Sequence, residues 1–114
     1  MKKKIELHLA HWVFVDDVKF FGKGRLQLLE LIQETGSISK AAKEMGMSYK
    51  KAWRMVDELN TFGKSPYVIA SKGGIHGGGT EVTETGKQVM DAYHRLGEKL
   101  QTIIEQEKNL LDLI

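Results

Sequence analysis

The side chains with the most pointed chemistry fall between positions 48 and 58: Ser48, Tyr49, Lys50, Lys51 and Arg54, then Asp57 and Glu58. Ala52, Val56 and Leu59 recur there at helical spacing, with Met55 beside them, and mark the buried stripe of a helix over about residues 49–62. At about 100° per residue, Lys50 and Arg54 fall near the centre of the opposite face. Lys51 lies on one shoulder of that face and Asp57 on the other. The face therefore begins basic and ends acidic. A helix macrodipole favours the reverse order, and each misplaced charge costs up to ~1 kcal/mol near a terminus. The inversion is accounted for if the amino end meets a polyanion, where backbone N–H groups and cationic side chains act together on phosphates and base edges. Arg54 or a lysine would donate to guanine O6 and N7, and Tyr49 would stack or reach a phosphate. A solvated polar face that happens to begin basic is the plainer alternative.

Such a helix needs a partner to hold it. Ala41 and Ala42 are small enough to let two helix backbones approach closely. Gly46 follows four residues after Ala42, where a sharp turn between crossed helices requires positive φ. Met45 and Met47 flank it as apolar anchors, and Ser48 is placed to cap the second helix. The first helix of the pair is expected over residues 40–45, with Ser37 and Ser39 each able to cap it. Both hydroxyls could instead donate to phosphates, and Lys40 and Lys43 either touch a nucleic-acid backbone or are simply solvated. Upstream, Leu26, Leu28, Leu29, Leu31 and Ile32 predict a central, well-buried helix over residues 25–35, stopped by Gly36. Trp53, about 100° from the buried stripe, is expected to pack on that helix or on an amino-terminal hairpin, with direct stacking on a nucleic acid as the alternative.

The run Lys72, Gly73, Gly74, Ile75, His76, Gly77, Gly78, Gly79, Thr80 separates two strand-like stretches, residues 67–70 and 81–83. It is not a nucleotide-binding P-loop: Gly79 stands where that motif needs lysine, and a strand rather than a helix follows. No βαβ unit surrounds it either. As the wing of a winged helix it has a clear use. Glycines let the backbone lie against a phosphate or along a minor groove, with free N–H donors, while Lys72 and His76 add positive character. A hairpin without a partner is the alternative.

At the amino end, residues 5–15 form a β-rich run, Asp16-Asp17 a turn and residues 18–21 a return strand. At the carboxyl end a helix over residues 84–114 is expected, capped by Thr83 or by Thr85, whose spacing to Gln88 suits a capping box. It would be about 45 Å long, more than the small domain can cover. Its stripe of Val89, Tyr93, Leu96, Leu100, Ile103, Leu110 and Ile114 is interrupted only by Glu107, and Met90, Ile104 and Leu111 widen it. A second copy is the economical cover for Leu96, Leu100, Ile103, Ile104, Leu110 and Leu111. Folding back onto the amino-terminal hairpin is the alternative. The expected fold is α+β, mainly α: a winged helix-turn-helix with an N-terminal β-hairpin (1–23), a helix-turn-helix and wing (24–83) and a long C-terminal dimerisation helix (84–114), all in one domain.

Composition narrows the classes further. The chain has 114 residues, 41% hydrophobic and 28% charged, within the ordinary range for a soluble globular domain. Its net charge of +2 says little without the positions. The absence of cysteine excludes disulfides and thiolate zinc sites. No secretory signal and no bilayer-length apolar run is found, so a cytoplasmic protein with no membrane partner is expected. His8 and His11, three apart on a probable strand, would point to opposite faces, and His94 is expected at the surface. No carboxylate cluster completes a metal site and no catalytic grouping is recognisable, so neither metal, cofactor nor enzymatic activity is expected.

The strings Gly36-Ser37-Ile38-Ser39-Lys40-Ala41-Ala42 and Met47-Ser48-Tyr49-Lys50-Lys51-Ala52-Trp53 closely resemble the N-terminal domain of ModE-type molybdate-responsive regulators. The glycine-rich wing and Val82-Thr83-Glu84-Thr85-Gly86 are similar to that family too, and more loosely to LysR-type regulators. The resemblance covers about residues 24–100. It implies a homodimeric winged-helix transcription regulator that binds double-stranded operator DNA. It also implies that Ser37, Ser39, Ser48, Tyr49, Lys50, Arg54 and the loop 72–80 face the duplex. The C-terminal oxyanion-binding domain of full-length members has no counterpart in this sequence, so no effector is expected for this chain. Beside this reading stand two others from the residues alone: a protein-interaction module using the last helix, and a weakly specific architectural DNA binder.

Overall fold

A computed structural model describes residues 2–71 and 79–114 of the chain. Asp16 and Asp17 both take positive φ, 48° and 66°, the backbone of a two-residue turn whose twist matches the strands it joins. It links β1 (Val13–Val15) to β2 (Val18–Phe21) as an antiparallel hairpin. The strand expected from residue 5 is thus limited to its last three positions. Residues 2–12 form no regular element, because β2 is only four residues long and offers the earlier segment no ladder. His8 and His11 are therefore not on a strand. His11 instead stacks on Tyr93 with ring centroids 4.1 Å apart, and the Tyr93 hydroxyl donates to the His11 carbonyl at 2.9 Å.

Three helices follow: α1 (Lys23–Thr35), α2 (Ile38–Glu44) and α3 (Tyr49–Phe62). α1 is the central helix, with Leu28, Leu29 and Ile32 wholly buried. Gly36 ends it in the left-handed region at φ 68°, donating its N–H to Ile32 O at 2.7 Å. Ser37 caps α2, its Oγ accepting from Lys40 N at 3.1 Å, so α2 starts two residues before the expected position and Ser39 is left exposed. Ala41 and Ala42 are fully covered, as a close helix crossing requires. Gly46, at φ 68°, makes the turn, and Met47 N–H donates to Ala42 O at 3.0 Å. Ser48 Oγ then accepts from Lys51 N at 3.1 Å and starts α3.

β3 (Val68–Ser71) and β4 (Gly79–Val82) pair antiparallel, Val68 opposite Val82 and Ser71 opposite Gly79. Each is displaced by one or two residues from its expected place. Thr80 N–H donates to Gly36 O at 2.9 Å and ties β4 to the end of α1. Thr83, not Thr85, caps α4 (Glu84–Gln106): its Oγ1 accepts from Gly86 N at 3.1 Å and donates to Pro66 O at 2.7 Å. Thr85 Oγ1 is occupied by Ser65 Oγ at 2.8 Å, so the capping-box spacing goes unused.

The last helix does not run unbroken to residue 114. α4 ends at Gln106, and a short α5 (Asn109–Asp112) follows. The break falls at Glu107, where the apolar stripe lapses and the backbone leaves helical values (φ −111°, ψ 31°). The core gathers Phe20 and Phe21 from the hairpin, Leu26, Leu28, Leu29 and Ile32 of α1, Ala41 and Ala42 of α2, Ala52, Val56 and Leu59 of α3, Tyr67, Val68 and Val82 at the wing strands, and Met90 of α4. Among the described residues no helix is long and apolar enough to cross a membrane.

Candidate nucleic-acid interface

Burial of Ala52, Val56 and Leu59 turns the other side of α3 outward, and Lys50, Lys51 and Arg54 are all exposed there. None of the three is in an ion pair among the described residues. Tyr49, at 55% exposed, stands beside them at the amino end. The acidic end of the face is weaker than the sequence suggests. Glu58 is half-buried and bound to Arg25, Oε1 to Nη2 at 3.0 Å, while Arg25 Nη1 donates to Phe20 O at 2.9 Å. Asp57 alone remains exposed as an acid opposite the three cations. The cationic end of α3 also carries the first-turn amides that no intrahelical carbonyl can accept from.

One flank of α3 brings several expected residues together. Ser37, Ser39, Tyr49 and Thr80 line a shallow depression with Gly36, Ile38 and Gly79. Ser37 is half-buried and engaged as a cap, whereas Ser39 is exposed. The Thr80 hydroxyl is enclosed and finds no hydrogen-bond partner among the described residues. Lys72, Gly73, Gly74, His76, Gly77 and Gly78 lie outside the described residues.

Trp53, expected to be packed, is 51% exposed and does not line the groove between the hairpin and α3. The hairpin lies against the other flank of α3, where Lys51, Arg54, Met55 and Glu58 share a groove with Trp12, Lys19, Phe20 and Phe21. Trp53 is thus on the side the hairpin does not cover.

The root of the wing is held by a side chain that sequence reasoning passed over. Asn60, near the end of α3, donates from Nδ2 to Val68 O at 2.9 Å, and its Oδ1 accepts from Tyr67 N at 2.8 Å and Val68 N at 3.1 Å. Tyr67 is buried beside it, and burial pushes its phenol above the usual value, so it is neutral at physiological pH. Asn60→Ala should leave three backbone groups without partners and destabilise the domain by about 2–4 kcal/mol. Urea unfolding with the linear extrapolation measures this, and a loss under about 0.5 kcal/mol would show that water replaces the amide. Nothing local in the sequence marks Asn60, since a polar residue at a helix end is ordinary. The Arg25–Glu58 pair joins residues 33 apart and has no local pattern at all.

Along the last helices Leu96, Ile103 and Leu110 are exposed at 46%, 54% and 51%, while Leu100, Ile104 and Leu111 are half-buried. His94 is at the surface, 3.7 Å from Glu30.

Two crossed helices joined at a left-handed glycine, followed by a two-stranded hairpin and a long helix, make this a winged helix-turn-helix. Residues 24–87 match the family described as bacterial regulatory helix-turn-helix proteins, lysR family, and the chain belongs to that family. It is similar to the molybdenum transport protein ModE of Azotobacter vinelandii, 38% identical over 82 residues, covering 72% of this chain and 30% of that protein. It is 46% identical over 72 residues to the molybdenum-pterin-binding protein MopB of Rhodobacter capsulatus, covering 63% and 27%. To the DNA-binding transcriptional dual regulator ModE of Escherichia coli (strain K12) it is 38% identical over 74 residues, covering 65% and 28%. The chain thus spans between about a quarter and a third of the length of these relatives, as the N-terminal resemblance implies. A LysR family transcriptional regulator of known crystal structure shares the fold, with TM-score 0.51 and 18% identity over 71% of this chain and 26% of that one.

Proposed function

We propose that this chain is the DNA-reading unit of a transcription regulator, a single domain that inserts the amino end of α3 into the major groove and works as a symmetric dimer. The observation that carries this reading is the exposed trio Lys50, Lys51 and Arg54 at the capped start of α3, in no ion pair among the described residues. Arg54 and Lys50 face the base edges, and the depression formed by Ser37, Ser39, Tyr49 and Thr80 faces a phosphate ridge. The loop 72–80 lies over the adjacent backbone or minor groove. Selection of bound sequences from a random duplex pool tests this. The expected result is an enriched, two-fold symmetric pair of half-sites whose affinity falls steeply with salt. Equal affinity for selected and random duplexes at one salt concentration would reduce the chain to an architectural binder. No duplex binding at low salt would end the proposal.

The exposed apolar residues of α4 and α5 are the dimer contact in this reading. Ile103→Glu combined with Leu110→Glu should give a monomer in sedimentation equilibrium, with affinity for a full site lowered to that for a half-site. A wild-type chain that stays monomeric at all concentrations would assign those side chains to another protein instead.

A further inference from the structure

We infer that the N-terminal hairpin is a second phosphate clamp, in which Lys19, held by the Trp12 ring, grips the backbone ridge on the flank of α3 away from the wing. It rests on the duplex-binding reading of α3 above and extends it to residues outside the helix-turn-helix.

The groove between the hairpin and α3 has Trp12 and Lys19 on one wall and Lys51 and Arg54 on the other. Its floor carries no net charge, since Arg25 and Glu58 neutralise each other at 3.0 Å. The remaining charges are all positive, and among the described residues Lys19, Lys51 and Arg54 make no ion pair. Lys19 does have a partner of another kind: its ammonium sits 4.4 Å from the centre of the Trp12 ring. Such a contact fixes a cation in place while leaving its charge uncompensated. Trp12 packs closely on Gly22, its Cε3 and Cζ3 occupying the space a Cβ there would need, at 2.3 and 2.4 Å from that position. A 48% exposed tryptophan that orients an exposed lysine suits an anionic partner.

The geometry of the major groove supplies that partner. The groove is about 12 Å wide and an α-helix with its side chains fills nearly all of it. With α3 inserted, both sugar-phosphate ridges stand against its flanks. The Ser37, Ser39, Tyr49 and Thr80 depression takes one ridge. On the opposite flank Lys51 points toward the hairpin, and Lys19 continues the same line of charge outward.

The test uses the full chain with a duplex chosen by selection and a mixed-sequence duplex, titrated by anisotropy between about 50 and 200 mM salt. Lys19→Ala should weaken both duplexes severalfold and alike, and flatten the slope of log K against log salt by about 0.9, one phosphate contact. Lys19→Arg should restore both. Trp12→Leu should lose part of the same affinity and add nothing in the double variant, whereas additive losses would give Trp12 a contact of its own and overturn its role as holder. Lys19→Ala with wild-type affinity and slope, while charge reversal on α3 still abolishes binding, would overturn the clamp and leave the reading of α3 standing. A wild-type chain that binds neither duplex would overturn both.

Discussion

Lys50→Glu together with Arg54→Glu is expected to abolish duplex binding while leaving the domain folded and its stability little changed. Loss of a bidentate contact from Arg54 to a guanine removes about 1–3 kcal/mol. Removing the Lys50 contact and placing two carboxylates against phosphates brings the total to at least about 4 kcal/mol, or a thousandfold in affinity. The stability change is small. Both side chains are exposed and unpaired among the described residues, so nothing in the fold depends on them. A carboxylate at position 50, in the first turn of α3, suits the dipole by up to ~1 kcal/mol. One at position 54 lies beyond that turn and meets Asp57 and Glu58 three and four residues on, which offsets the gain. Fluorescence anisotropy with a labelled duplex and thermal unfolding of the same sample measure the two effects. Retained affinity would remove α3 from the interface. The single variant Arg54→Ala separates its two roles: loss confined to one preferred sequence marks a base contact, and equal loss on all sequences a phosphate contact.

The second large effect concerns the attachment of α4. Gly86→Ala should destabilise the domain by about 1–3 kcal/mol, although alanine is favoured over glycine in a helix by about 1 kcal/mol. The packing decides the sign. A Cβ at Gly86 would stand 2.8 Å from the Tyr67 carbonyl oxygen and 2.6 Å from Val82 Cγ1. The first of these atoms is backbone at the root of the wing and cannot step aside, since Tyr67 O also accepts from Thr83 N at 2.8 Å. The clash therefore outweighs the gain in helix propensity. Thermal and urea unfolding give the measurement, and a raised midpoint would mean that α4 shifts on the domain at little cost. If α4 carries the dimer, the same variant should also impair binding to paired half-sites more than to single ones.

Much of this architecture can be read from the chain because its turns are written in residue type. Asp16-Asp17 turns, Gly36 stops α1 and Gly46 takes the positive φ that its place in the sequence suggested; the structure adds positive φ at the other three. Ser48 and Thr83 cap the helices they precede. The buried stripe of α3 was legible for the same reason: period and composition agree there, so Lys50, Lys51 and Arg54 could be placed outside before any coordinates. What escaped were relations that no local pattern carries. A place about 100° from the buried stripe suits a packed Trp53, but the hairpin takes the other flank of α3. Which flank a hairpin takes depends on its connection, not on the helix. The break at Glu107 coincides with a gap in the apolar repeat, a signal that was visible and read as a blemish in one continuous helix. The contact of Lys19 with Trp12 also has no local signal. A two-residue turn at Asp16-Asp17 pairs Phe14 with Lys19, but the register shifts between Val13 and Phe14 and Trp12 precedes β1, so the turn alone does not place the ring beside the ammonium.

Asn60 has a thermodynamic consequence beyond the hydrogen bonds it makes. By joining the last turn of α3 to the first strand of the wing, it makes the helix and the wing root a single rigid body. Their relative orientation is settled when the chain folds, not when it meets DNA. Loosening that joint would therefore register as a less favourable entropy of association in calorimetry, with every contact to the duplex still available.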